Sequence, residues 1–215
     1  MASDQDLIEM FNSALSRIID RGWAHEVGHY RQLKFDQVDG NYFFGEYAHC
    51  VYASGWKWAN VDKYWPELTR AYRDWDYMEV GKHASEVRIR ALAIISHPKK
   101  VDAILSCAEK LKSWGWPDFK RWLETIDLLV TPGRLGYVGP ATRYHLARNI
   151  GADVAKPDRY MLDLANKYGY PKTDAGVQAL AKRISQLCAE RVGVVDVVLW
   201  RDAEGSRYYT DTDGR

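Results

Sequence analysis

Along most of this chain the apolar residues return every third or fourth position, a spacing that an α-helix turns into one buried stripe. Leu7, Met10, Phe11, Leu15, Ile18 and Ile19 define a first amphipathic helix in this way. A loop around Phe35 to Asn41 leads into YFFGEYAHCVYASGW, an apolar helix expected to end near Gly55. Residues 61–77 read as another helix with Pro66 in its first turn, and 84–95 as one stopped by Pro98. The next helix closes on Gly115 as its C-cap, and Pro117 starts the one after it. Helices resume at Pro140, near Asp158 and across 173–191, where Leu180, Ile184 and Leu187 form the stripe. The β-branched run 192–200 (VGVVDVVLW) has no partner run to pair with and reads as a short buried helix. The fold class is all-α. The length of 215 residues fits one large domain, or two helical lobes sharing a cleft, over 1–202. Residues 203–215 then form a polar, mobile tail.

Nine tryptophans and fourteen tyrosines either fill a core or stack on bases, and composition alone favours the core. The formal net charge of +1 excludes a polyelectrolyte magnet, so any nucleic-acid affinity needs a local patch. Cys50, Cys107 and Cys188 are odd in number and far apart, and read as buried free thiols. The first residues carry no basic-then-apolar leader, and no run approaches a membrane span, so a cytoplasmic, nucleoid-associated protein is expected.

The strongest punctuation is TPGRLGYVGPAT, 131–142, with three glycines and two prolines between two helical patterns. A glycine turn here leaves early N–H groups of the second helix unpaired, with Pro140 suited to its first position. Those donors and the helix dipole favour a phosphate. Farther on, KPDRYM, with its segment 156–160, puts Asp158 at a helix start. Asp158 serves there as an N-cap, or as an ionised carboxylate near Lys156 and Arg159, or as both.

The run from Leu135 to Ala165 resembles the helix-hairpin-helix plus Gly-Pro-Asp signature of the base-excision DNA glycosylase superfamily. Leu135, Gly136, Tyr137, Val138 and Gly139 take the hairpin, Thr142 follows in its usual place, and Asp158 falls where the family's aspartate stands. A looser similarity covers FFGEYAHCVYASGWKWANV. The resemblance implies a two-lobe helical enzyme that flips a base out of double-stranded DNA and cuts its N-glycosidic bond. Asp158 is then catalytic. Gly136, Tyr137, Val138, Gly139, Ala141, Thr142, Arg143, Lys156 and Arg159 contact the DNA backbone. Two departures refine this. Tyr137 occupies the place of the family's first hairpin glycine. Ala141 stands where bifunctional members carry a Schiff-base lysine, which implies a monofunctional, water-using enzyme, and a monomer is expected. A cluster held by four C-terminal cysteines is excluded because only Cys188 lies in that half, so no cofactor and no metal is expected.

The expected base pocket is Tyr42, Phe43, Glu46 and Tyr47, with Trp56 or Trp58 as wedge or stacking platform. Between Arg134 and Arg183 nine basic residues face four acidic ones, an excess suited to phosphate, and Lys99 and Lys100 offer a second anchor. The target leans towards a bulky or modified base, such as a phage-type hypermodified pyrimidine, over uracil. Three other readings compete. A relative of phage thymine-hypermodification transferases could share the fold, and a pure DNA-binding module would leave Asp158 without a role. His25-Glu26-Val27-Gly28-His29 matches the H-E-x-x-H of zinc hydrolases, although Gly28 weakens its helix.

Overall fold

A computed structural model describes residues 2–56, 58–129, 133–140 and 142–212, with side chains left out of the description at 58, 59 and 205–212. The described residues are helical throughout, without a strand. In chain order the helices are α1 (Asp4–Asp20), α2 (Ala24–Gln32), α3 (Gly40–Ala53) and α4 (Trp58–Ala71). They continue with α5 (Tyr77–Lys82), α6 (Ala84–Ile94), α7 (Pro98–Trp114) and α8 (Trp116–Ile126). The last are α9 (Arg143–Asn149), α10 (Arg159–Lys167), α11 (Asp174–Cys188) and α12 (Val192–Thr212). They divide into two compact units, one of residues 1–35 with 151–215, the other of residues 36–150.

The first unit buries the stripe of α1, Leu7, Phe11, Ala14 and Ile18, against Val177, Leu180 and Ile184 of α11 and Val194, Val195 and Val198 of α12. The run 192–200 is therefore buried helix, as its pattern indicated. α12 continues to Thr212, through the stretch expected as a polar tail. Ser3 and Asp6 close a reciprocal capping box on α1. Arg191 joins the two segments of this unit by donating to the carbonyls of Tyr30, Leu33 and Gly151.

The second unit is built around α3, in which Phe43, Phe44, Tyr47, Ala48, His49, Cys50, Val51 and Tyr52 are all buried. A helix with so many buried positions belongs at the centre of a bundle, which is where the aromatic residues converge. Phe43 packs on Trp116 and Phe119, and Phe44 meets Tyr72 and Trp75 edge-on. Trp65 and Tyr72 each stack on Trp75, at 4.6 and 5.0 Å. The expected helix over 61–77 instead spans Trp58–Ala71, with Pro66 in its interior. A left-handed turn stops further propagation, since Arg73, Asp74 and Trp75 have φ of 53°, 55° and 61°. The Trp75 indole N–H donates to Thr69 at 3.1 Å and Arg73 pairs with Glu86, which helps hold this uncommon backbone in place.

Candidate functional site

The hairpin lies wholly in the second unit and joins α8 to α9. Leu135 and Val138 are buried and anchor it, while Gly136 is exposed. Gly133 N–H donates to the Val138 carbonyl at 2.6 Å, and Val138 N–H returns to Leu135 at 3.1 Å. The Tyr47 hydroxyl donates to the Gly136 carbonyl at 2.9 Å, tying the turn to α3. A Cβ on Gly136 would stand 3.3 Å from Ala103 and 3.4 Å from that hydroxyl, so a larger residue there would crowd both. Tyr137 has φ of 63°, the left-handed conformation that glycine adopts freely and tyrosine does not. Its ring meets His97 edge-on at 6.4 Å. The turn geometry that a glycine would supply is thus kept here by a tyrosine.

Thr142 buckles the turn from within. Its hydroxyl donates to the Tyr137 carbonyl at 2.5 Å and accepts from Gly139 N–H at 2.9 Å. This moves the helix start from the expected Pro140 to Arg143, because Thr142 takes the N-cap position and Pro140 stays in the turn. It also engages the Gly139 donor, and Arg143 N–H bonds to the Gly139 carbonyl, so two N–H groups expected to point at phosphate are committed internally. Arg143 donates to the Leu129 carbonyl at 2.5 Å and lies over Tyr144. Ala141 and residues 131 and 132 lie outside the described residues.

Asp158 belongs to the first unit and caps α10. Tyr160 N–H and Met161 N–H donate to its carboxylate at 2.9 and 3.1 Å, and both bonds end on Oδ1. Oδ2 is left outside the cap. Beside it Lys156 lies 5.8 Å from the Trp200 ring centroid, and exposed Arg159 lies over Tyr160.

The expected base-pocket residues separate into two groups. Phe43 and Tyr47 are in the core, 0% and 1% exposed. Tyr42 and Glu46 are half-buried and both turn to Asn149 of α9. Tyr42 donates to the Asn149 carbonyl at 3.1 Å, and the Asn149 amide donates to Glu46 at 2.7 Å. Arg148 in turn donates to the Asn149 side-chain oxygen at 2.9 and 3.2 Å, which fixes which way that amide points. An edge of Glu46 reaches solvent while its carboxyl is enclosed. Burial pushes its pKa up to about 7, against the opposing pull of the Asn149 bond and the Arg148 charge.

Trp56 is exposed and, with Gly55, Asn60, Lys63 and Tyr64, lines an open hollow of about 510 Å³. The Trp58 side chain lies outside the described residues. Lys100, expected as a surface anchor, is 2% exposed. Its Nζ donates to the Tyr52 and Ser54 carbonyls, both at 2.7 Å, and sits 5.0 Å from the Trp56 ring centroid. It thus caps the C-terminus of α3, where a cation meets the negative end of the helix dipole. Sequence reading missed this because a Lys-Lys pair after a proline reads as surface. The basic excess of 134–183 is also partly spent: Arg148 is buried, Lys172 pairs with Asp163, and Arg183 with Asp4.

The H-E-x-x-H segment lies on α2, but Glu26 accepts two bonds from Arg201, at 2.7 and 3.1 Å. Arg201 also stacks over Trp23 at 3.9 Å and pairs with Glu204. A glutamate so held is no free base, and among the described residues these histidines gather no third ligand.

No family model matches the chain, and no curated protein matches it by sequence. A search of solved structures finds a Methanocaldococcus jannaschii 8-oxoguanine glycosylase/lyase in complex with a 15mer DNA containing 8-oxoguanine. The TM-score is 0.62 at 16% identity, covering 93% of this chain and 96% of that one. A likeness of this extent at so low an identity is a likeness of architecture. The chain has the all-helical fold of the helix-hairpin-helix DNA glycosylases.

Proposed function

We propose that this protein is a DNA glycosylase that hydrolyses the N-glycosidic bond of a damaged or modified base and leaves an abasic site. The observation that carries the reading is Asp158, which caps α10 through Oδ1 alone and so keeps a second carboxylate oxygen for chemistry. As the base departs, positive charge builds on the deoxyribose. A fixed carboxylate stabilises that charge and orients the attacking water. Lys156 and Arg159 flank Asp158 in sequence and are assigned to the DNA backbone. The hairpin 133–140 and Arg143 are assigned to the DNA backbone, with Gly136 as the point of closest approach because it is exposed and carries no side chain.

Glu46, in the second unit, is assigned to the base, and its carboxyl, titrating at about 7, keeps its proton into the neutral range. Asn149, itself held by Arg148, fixes that carboxyl in place. Trp56 acts as a stacking platform, its ring steadied by Lys100. Without a lysine at position 141 the enzyme releases base by hydrolysis, not through a covalent imine. The M. jannaschii neighbour acts on 8-oxoguanine, and a bulky modified base is the class of substrate assigned here.

The test is a panel of duplexes, each with one damaged or hypermodified base, scored for free base and abasic sites, with Asp158→Asn as control. Release from at least one duplex, lost in the variant, supports the reading. Equal release by parent and variant would end it.

A further inference from the structure

We infer that the second unit holds a buried zinc site made by His49 and Cys50 of α3 and His145 of α9. The donor atoms of the three side chains lie within 4.8 Å of one another, and all three residues are buried. The two imidazoles meet edge-on with centroids 5.5 Å apart, and Trp65 packs edge-on against His49 at 5.1 Å. Two imidazoles and one thiolate form a donor set suited to zinc, at bond lengths of about 2.0–2.3 Å. Tetrahedral geometry at such lengths puts ligand atoms roughly 3.5 Å apart, so the set needs to close by about 1 Å.

Placement argues for a site over chance. Within a core made mostly of aromatic and aliphatic side chains, two histidines and a cysteine are grouped at one point. One turn along the same two helices, Glu46 and Asn149 make their own cross-helix bond, so α3 and α9 meet through two consecutive polar rungs. A metal on the outer rung would lock α9, which follows directly from the hairpin, to the central helix. On binding, Cys50 releases its proton to solvent and both imidazoles enter neutral. Zinc prefers four ligands, so a fourth donor would have to come from outside these three residues.

The experiment loads the intact purified protein with Zn²⁺, removes excess by dialysis and counts metal by plasma mass spectrometry. Its variants are Cys50→Ala, His145→Asn, Cys188→Ala and His29→Gln. About one zinc per chain is expected in the parent and in the last two variants. In the first two, affinity should fall more than about 100-fold, since each ligand carries about a quarter of a typical structural-zinc binding energy. Should Cys50→Ala or His145→Asn fail to fold, Co²⁺ loading of the parent and of Cys188→Ala replaces them. A thiolate-to-cobalt band in the near ultraviolet, with visible bands of tetrahedral cobalt, supports the site. No uptake by the parent overturns the inference, as do uptake undiminished in Cys50→Ala, loss on His29→Gln alone, or a cobalt spectrum without the thiolate band.

Discussion

Asp158→Asn separates two jobs that one side chain performs. Both capping bonds end on Oδ1, at 2.9 and 3.1 Å from Tyr160 and Met161. An amide oxygen can occupy that position, and asparagine caps helices about as well as aspartate. The stability cost is then only the lost charge at the head of α10, about 0.3–1 kcal/mol. Asp158→Ala removes both bonds as well, costing about 1 kcal/mol for the cap, or a fall of about 2–4 °C in Tm for a chain of this size. Base release responds differently, because losing the negative charge beside a developing cation costs about 3 kcal/mol, a slowing of roughly 10²–10³-fold. The assay is single-turnover release of base from the best duplex of the panel, run beside thermal denaturation of the same three proteins. The expected pattern is two variants equally slow but unequally stable. An Asn variant as fast as the parent refutes the charge argument, and activity that tracks Tm across the three proteins assigns the whole effect to the helix start.

Glu46 titrates at about 7 in the folded protein against 4.5 when unperturbed, so the native state holds an extra proton between these values. Its contribution is full below pH 4.5 and declines as pH rises through 7. Urea denaturation across this range should show the parent losing stability relative to Glu46→Gln, with the difference flat at higher pH. Lys100→Met removes two charge-assisted bonds to the carbonyls of Tyr52 and Ser54. A loss of about 2–3 kcal/mol is expected in the same assay. At position 137, with φ of 63°, Asn should be near neutral, whereas β-branched Val should destabilise by about 1–2 kcal/mol. Thermal melts of the two variants beside the parent check this.

Local patterns were legible wherever a single helix decides them. The stripe of α1, the Gly115 stop of α7 and the burial of 192–200 follow from spacing and turn chemistry. Asp158 was legible too, because an acidic residue after proline and before an amphipathic run is an N-cap pattern. What sequence could not carry are pairings between helices. Glu46 with Asn149 and His49 with His145 join residues about a hundred positions apart, and no local signal selects either partner. Phe43 and Tyr47 were expected at a pocket, but both lie in the core, and a helix with apolar residues spread so widely round it gives little periodic hint of which face opens. Thr142 shifted the helix start for a related reason: its hydroxyl serves the turn before it, not the helix after it.

The first unit is assembled from two segments separated in sequence, whereas the second is one continuous stretch. On the ribosome this sets an order of events. Residues 36–150 can complete their own core as soon as they emerge, but the greasy side of α1, synthesised earlier, waits for α11 and α12. During that interval the nascent chain leaves Leu7, Phe11 and Ile18 uncovered, an opportunity for a chaperone and a hazard without one. A stop codon anywhere before α11 would leave this first helix permanently uncovered.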